Sequence, residues 1–261
     1  MKPIHYRDTP AIKACYDENG VVLVDGVYTE DQLSQMEQFF EDFKNEKAIF
    51  DGSEHYTEEV KAQRQVRALH PHRFSSQVKT WFLEPRVAHV LEALFGRPAL
   101  GAQTMYYYKP PGASGQAMHQ DNHPLATKPA ACIGVWSPID DADEDNGCLR
   151  VALGSHKLDI FCAKGTLARN PYEYGDSHIS QYPREYPPVA IPVKRGQTLF
   201  FHGHTIHGSG PNRTQDRYRR TFIGHYVDQT TEEIAEFYHP ILNMQGEVVS
   251  GIAIGANGGL C

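Results

Sequence analysis

Beyond Pro98 the chain is cut into short runs rich in Tyr, Val, Ile and Phe, each bounded by clusters of Pro, Gly, Asn and Asp. This punctuation limits the fold more than any other feature. The runs at 104–108, 132–136, 148–151, 189–193, 198–202 and 221–227 are too short for helices, and they recur at the interval expected of strands in a two-sheet sandwich or barrel. The segment before Pro98 reads differently. Thr9-Pro10 opens a helix that Asn19-Gly20 closes, 21–24 is a short apolar strand, and Thr29 caps a second helix carrying Leu33, Met36, Phe39, Phe40 and Phe43 at helical spacing. A third helix is expected over 84–95, with Val87, Val90, Leu91 and Leu94 on one face and Gly96 after its end. Helices first and strands later predict a mainly β protein with flanking α-helices, packed on one outer face of a jelly-roll core.

The expected organisation is one domain over 1–261, with a mainly helical layer at 1–97, the jelly-roll core at 98–230 and a C-terminal tail at 231–261. A chain of 261 residues with 40% hydrophobic and 22% charged content can bury a full core. The net charge of −7 leaves no broad basic surface, which argues against a nucleic-acid partner. Five scattered cysteines without a C-x-x-C pair argue against a disulfide framework or zinc ribbon and point to a reducing compartment, the cytoplasm by default. No apolar run approaches membrane-spanning length, and the first residues lack the apolar stretch of a signal peptide. Oligomeric state is not legible. Three stretches read as irregular: a polar connection at 44–65, a long loop at 163–188 that could act as a lid, and a Gly-rich end at 251–261.

His119-Gln120-Asp121 is the triplet with the clearest chemistry. Side chains two apart on an extended segment point to the same side, so the imidazole and the carboxylate can act together. A second histidine from far along the chain would complete a set of two imidazoles and one carboxylate. Three such ligands leave three positions open on a mononuclear metal, which suits non-haem Fe(II). With 14 histidines in the chain, the triplet alone is weak, and His202, His204 and His207 compete for the distal place.

The surrounding motifs strengthen it. Lys109-Pro110-Pro111, Met118-His119-Gln120-Asp121, Trp136, Asp145-Asn146-Gly147-Cys148-Leu149, Gly154-Ser155-His156, and His207-Gly208-Ser209-Gly210-Pro211-Asn212-Arg213-Thr214 followed by Arg219-Arg220 occur in this order. Together they resemble the phytanoyl-CoA dioxygenase family over about 104–227. The resemblance implies an Fe(II)- and 2-oxoglutarate-dependent oxygenase on a cupin-like double-stranded β-helix, with O2 as the other co-substrate. It implies His119, Asp121 and His207 as iron ligands, choosing His207 because that histidine precedes Gly-Ser-Gly-Pro-Asn. It also implies Arg219 on the distal carboxylate of 2-oxoglutarate, with Lys109, Ser209 and Trp136 around that acid. The gap after His207 keeps Arg220 and, further back, Arg217 in play. With Asp121 in the carboxylate position, hydroxylation is expected over halogenation.

Physical chemistry supports these roles. A dianion with a remote carboxylate needs a fixed cation, and a guanidinium forks onto carboxylate through two charge-assisted bonds. The co-substrate and metal supply the oxidising chemistry, so the protein needs no general acid or base. Tyr106, Tyr107 and Asn122 are candidate substrate contacts, and Gln103, Gln116 and Gln120 could hydrogen-bond a polar group. The acidic chain offers no platform for CoA phosphates, which favours a small polar metabolite or natural product as the prime substrate. Desaturation, epoxidation and cyclisation would use the same iron site. A non-catalytic cupin-like binding module and a Zn(II) hydrolase or isomerase are the rival classes.

Overall fold

A computed structural model describes residues 1–46, 67–160, 167–169, 177–179 and 183–255. In chain order the elements are β1 (Ile4–His5), α1 (Thr9–Asn19), β2 (Val21–Asp25), α2 (Glu30–Glu46), β3 (Arg67–Leu69), α3 (Ser76–Phe82), α4 (Pro85–Phe95), β4 (Ala99–Tyr107), β5 (Gln116–His119), α5 (Asn122–Leu125), β6 (Cys132–Pro138), β7 (Leu149–Ala152), β8 (Leu167–Arg169), β9 (Ser177–Ile179), β10 (Pro188–Ile191), β11 (Gln197–His202), β12 (His207–Ser209), β13 (Thr221–Asp228), β14 (Glu233–Ala235), β15 (Leu242–Asn243) and β16 (Ala253–Gly255).

Local chemistry explains the helix ends. The Asp8 carboxylate accepts from the Ala11 N–H, and Gly20 closes α1 at φ 73°, its N–H donating to the Tyr16 carbonyl. Thr29 and Gln32 form a reciprocal box at the start of α2: the Gln32 Oε1 accepts from the Thr29 N–H at 2.9 Å, and the Thr29 Oγ1 accepts from the Gln32 N–H at 3.2 Å. Glu84 caps α4, and Gly96 ends it in the left-handed region. One helix, α3, has no counterpart in the expectation. It is a seven-residue helix too short to show a period, and it is marked only by Ser75, whose hydroxyl accepts from the Val78 N–H.

Two sheets face one another without closing into a barrel, giving the expected jelly-roll. The large sheet runs β1-β2-β11-β6-β13-β4-β15, with β3 also on β4, and the small sheet runs β10-β7-β12-β5. Strands from all three expected segments share the large sheet: β2 pairs β11, and β15 pairs β4. The expected boundaries at 97 and 231 therefore do not separate layers in space. The tail also supplies β14 and β16, which pair in parallel. α2 continues to Glu46 through the start of the expected 44–65 connection, and the rest of that connection lies outside the described residues. Most of the 163–188 loop does too, though β8 pairs β9, and Ile179 packs with Ala152, Ile206 and Met118.

Strand alternation splits the core into two faces. Outward-facing Val22, Val24, Tyr106, Val135, Phe200 and Phe222 pack under the helices against Leu33, Met36, Phe40, Val87, Val90 and Leu91. Their neighbours Val21, Leu23, Tyr107, Trp136, Leu199, Phe201 and Ile223 point between the sheets and meet Leu149, Val151 and Ile191. The helices buttress one face of the large sheet and leave the inter-sheet space to the site.

Candidate metal centre

Strand pairing brings two candidate ligands together. β12 runs antiparallel to β5 and sets His207 opposite His119, with a bulge before Ser209. The two imidazole centroids are 4.3 Å apart. Asp121 arrives by a route different from the expected extended run. β5 ends at His119, and Asp121 has φ −66° and ψ −30°, so a turn at the entry to α5 carries the carboxylate back. Its Oδ1 lies 3.4 Å from His119 Nε2 and 3.8 Å from His207 Nε2. One donor atom from each of the three falls within 4.8 Å of the others, and among the described residues this is the group able to hold a metal.

The backbone sets both imidazoles for that task. His119 Nδ1 donates to the Ala117 carbonyl at 2.8 Å, and His207 Nδ1 donates to the Thr205 carbonyl at 3.0 Å. Each Nε2 is left with its lone pair towards Asp121, the tautomer a metal requires. Burial, with His119 beside it, pushes His207 down to about 4, so it is neutral at pH 7. For Asp121, burial is the largest influence and acts upward. The neighbouring His225 and His207, with His119 also close, outweigh it and hold the carboxyl well below its usual range. His202 and His204 belong elsewhere. The His202 Nδ1 accepts from the His204 N–H at 3.0 Å, and the His202 ring lies near Tyr16 and His156.

The three arginines differ sharply. Arg220 grips Asp140 through Nε at 2.9 Å and Nη2 at 2.6 Å and also reaches Glu37 and Glu41. Arg217 forks onto Asp143 at the surface. Arg219 is only 2% exposed, donates from Nη1 to the Thr221 hydroxyl at 2.8 Å, and lies 5.6 Å from the Trp136 ring centroid. Its Nε has no partner among the described residues, and neither does the guanidinium have a bonded carboxylate there. Burial lowers it to about 10, which leaves it charged at pH 7. Lys109 is fully buried, and its Nζ donates to Ser209 Oγ at 3.0 Å and to the Gly210 carbonyl. Gly147 makes room for that side chain: at φ 84°, a Cβ there would lie 2.4 Å from the Gly210 oxygen and 2.9 Å from Lys109 Nζ. The Lys109 carbonyl in turn accepts from the Arg219 N–H at 3.1 Å.

A family model described as phytanoyl-CoA dioxygenase (PhyH) matches residues 16–221. The chain belongs to the phytanoyl-CoA dioxygenase family. Peroxisomal phytanoyl-CoA dioxygenase of Rattus norvegicus is 26% identical over 230 residues, covering 81% of this chain and 66% of that enzyme. Phytanoyl-CoA dioxygenase 1 of Oryza sativa subsp. japonica is 33% identical over 173 residues, covering 65% of this chain and 59% of that protein. The chain thus spans 66% and 59% of the lengths of these relatives. Among solved structures, the non-haem α-ketoglutarate-dependent epimerase SnoN from nogalamycin biosynthesis superposes with a TM-score of 0.71 at 21% identity, covering 86% of this chain and 82% of that one. The carbocyclase SnoK from the same biosynthesis gives 0.68 at 19% identity, covering 89% of both chains. These share the fold.

For this phytanoyl-CoA dioxygenase family member, one expected substrate contact, Tyr106, needs correction. Tyr106 and Tyr107 are adjacent on β4 and must face opposite ways. Tyr107 points inward with Trp136, whereas Tyr106 stacks on Phe40 at 3.8 Å beneath the helices, away from the ligands. Asn122 is buried against Gly203, with its N–H donating to the Gly203 carbonyl at 2.9 Å and its side-chain atoms unpartnered among the described residues. Gln120 donates to the His204 carbonyl at 2.7 Å, Gln116 Nε2 lies 3.3 Å from His119 Nε2, and Gln103 bonds His225. No motif in the sequence marks Thr221 or His225. Counting in twos from Arg219 into β13 puts both on the face that Arg219 shares, but not beside any particular partner.

Proposed function

We propose that this chain is a non-haem Fe(II)- and 2-oxoglutarate-dependent oxygenase that hydroxylates an unactivated C–H bond of a small polar molecule. The observation that carries the reading is Arg219: a buried guanidinium with no bonded carboxylate among the described residues, held between Thr221 and Trp136 in the same inter-sheet space as His119, Asp121 and His207. Burying an unpaired charge is costly, and a dicarboxylate offers the missing partner. The donor set also fits the group, with two Nε2 lone pairs and one carboxylate oxygen facing one point. Three protein ligands leave room for a keto acid and O2.

Iron with 2-oxoglutarate supplies oxidation of a C–H bond by O2, with succinate and CO2 released. The residues of the chain bind and orient. Arg219 would hold the distal carboxylate through its fork, Ser209 and Lys109 would frame that acid, and Trp136 would wall its chain. Tyr107 faces the same interior and is the better placed of the two tyrosines to meet substrate. A small polar metabolite or natural product is favoured over an acyl-CoA by the net charge of −7. The solved relatives are named as an epimerase and a carbocyclase, so ring closure or epimerisation on the same ligand set is the second reading. Scattered cysteines, of which Cys15, Cys132 and Cys148 are free, support a reducing compartment such as the cytoplasm. Among the described residues no helix is long and apolar enough to cross a membrane.

The test is an anaerobic metabolite panel with Fe(II) and 2-oxoglutarate. The expected result is a metal-to-ligand absorption band that one compound causes to decay faster when oxygen enters, with succinate formed in step. No band, or turnover unaffected by exhaustive chelation, would overturn the reading.

A further inference from the structure

His225 has no part in the ligand set or in the cradle of the keto acid, yet it touches the one carboxylate of that ligand set. Its Nε2 lies 3.1 Å from Asp121 Oδ2. A carboxylate only accepts, so this nitrogen carries the hydrogen and donates it. The other oxygen, Oδ1, is the one facing His119 and His207. The two oxygens of Asp121 are therefore divided, one towards the imidazoles and one bound to His225.

A second contact fixes the donor. His225 Nδ1 is 2.9 Å from Gln103 Oε1, and Gln103 Nε2 is 3.5 Å from His70 Nε2. If the Gln103 amide is reversed, it donates to Nδ1; in either orientation Nε2 still donates to Asp121. His225, Gln103 and His70 are 5%, 4% and 6% exposed, so bulk water does not substitute for a missing member. The row spans β13 and β4, which pair His225 with Gln103 directly.

We infer that His225 is a positioning residue that occupies Asp121 Oδ2 and confines the carboxylate to supplying one oxygen to the metal, with Gln103 orienting the imidazole. A carboxylate with both oxygens free can chelate, and chelation would take a position that a bidentate keto acid and O2 need. Hydrogen-bonded partners of metal ligands set ligand orientation in this way. The inference rests on the reading of His119, Asp121 and His207 as an iron site.

Two variants and one metal probe separate the possibilities. His225→Leu removes the donor, and His225→Gln returns an amide N–H at similar reach. Each is titrated anaerobically with Co(II), whose visible absorption reports coordination, and then with Fe(II) and 2-oxoglutarate. The expected result is Co(II) binding weakened roughly 10- to 100-fold in His225→Leu, with an altered Co(II) spectrum and a diminished keto-acid band, all largely restored in His225→Gln. Gln103→Leu, which keeps His225 but frees it to turn, should fall between wild type and His225→Leu. Binding and spectra equal to wild type in His225→Leu would overturn the inference, as would equal impairment in the Leu and Gln variants. If His225→Leu does not fold, Gln103→Leu decides, and a wild-type Co(II) spectrum there overturns it. Failure of the wild-type protein to bind Co(II) or Fe(II) would instead sink the iron reading itself.

Discussion

At the scale of single residues, the site separates groups of the same type by what surrounds them. Arg219 and Arg220 are neighbours in sequence, but Arg220 is tied to Asp140, Glu37 and Glu41 while Arg219 is buried with no bonded acid among the described residues. Arg219→Ala should therefore raise the KM for 2-oxoglutarate, by about 30- to 150-fold if two charge-assisted bonds worth about 2–3 kcal/mol together are lost. Arg219→Lys should recover only part of this, because an ammonium cannot fork. Arg220→Ala should leave that KM within a few-fold of wild type. Steady-state kinetics with varied 2-oxoglutarate check all three, and a KM change in Arg220→Ala as large as that in Arg219→Ala would reverse the assignment. His119→Ala and Asp121→Ala should each abolish metal-dependent succinate formation, measured directly as product. Turnover retained in both would dismiss the triad.

At the scale of elements, α2 acts as a clamp on the outside of the large sheet. Glu30, Ser34, Glu37 and Glu41 lie along one face of the helix at three- and four-residue spacing, and that face grips Arg195 and Arg220. Its adjoining, apolar face sets Phe40 against Tyr106. Phe40→Ala should destabilise the fold by about 3–5 kcal/mol, the usual cost of emptying a buried aromatic site, while leaving the Co(II) spectrum of the folded protein unchanged. Denaturant unfolding and metal titration together test this. A lost metal spectrum in a still-folded Phe40→Ala protein would mean that the two faces of the sheet are coupled more tightly than their separate packing indicates.

At the scale of the whole molecule, buried histidines make stability depend on pH. Burial, joined by neighbouring cations and imidazoles, lowers His70 to about 3 and His72 and His202 to about 4. Unfolded, such groups take up a proton near pH 6.5. Between that value and their folded values the unfolded chain binds more protons than the native one, so stability is fully present above pH 6.5 and is lost as pH falls towards 4. Each of the three should contribute a loss of about 1.4 kcal/mol per pH unit across this window. The melting temperature should fall steeply between pH 6.5 and 5, and His202→Asn should flatten the slope. A flat profile across this range would show that these sites gain compensating contacts on protonation.

Much of this architecture is local in origin and is legible in the sequence. The caps at Thr29 and Gly20, the helical stripe from Leu33 to Phe43 and the turn-bounded strands beyond Pro98 depend on neighbours within a few residues. So do the ligand types at His119 and Asp121, although the turn that aims the carboxylate has no local signal. The tertiary structure alone decided which of three arginines has no bonded acid among the described residues, which of two adjacent tyrosines points between the sheets, and that His225 and Gln103 stand behind Asp121. These depend on sheet face and strand register, such as His207 opposite His119 and His225 opposite Gln103. Register between strands far apart in the chain is set by packing of the whole core, and no short window of sequence carries it.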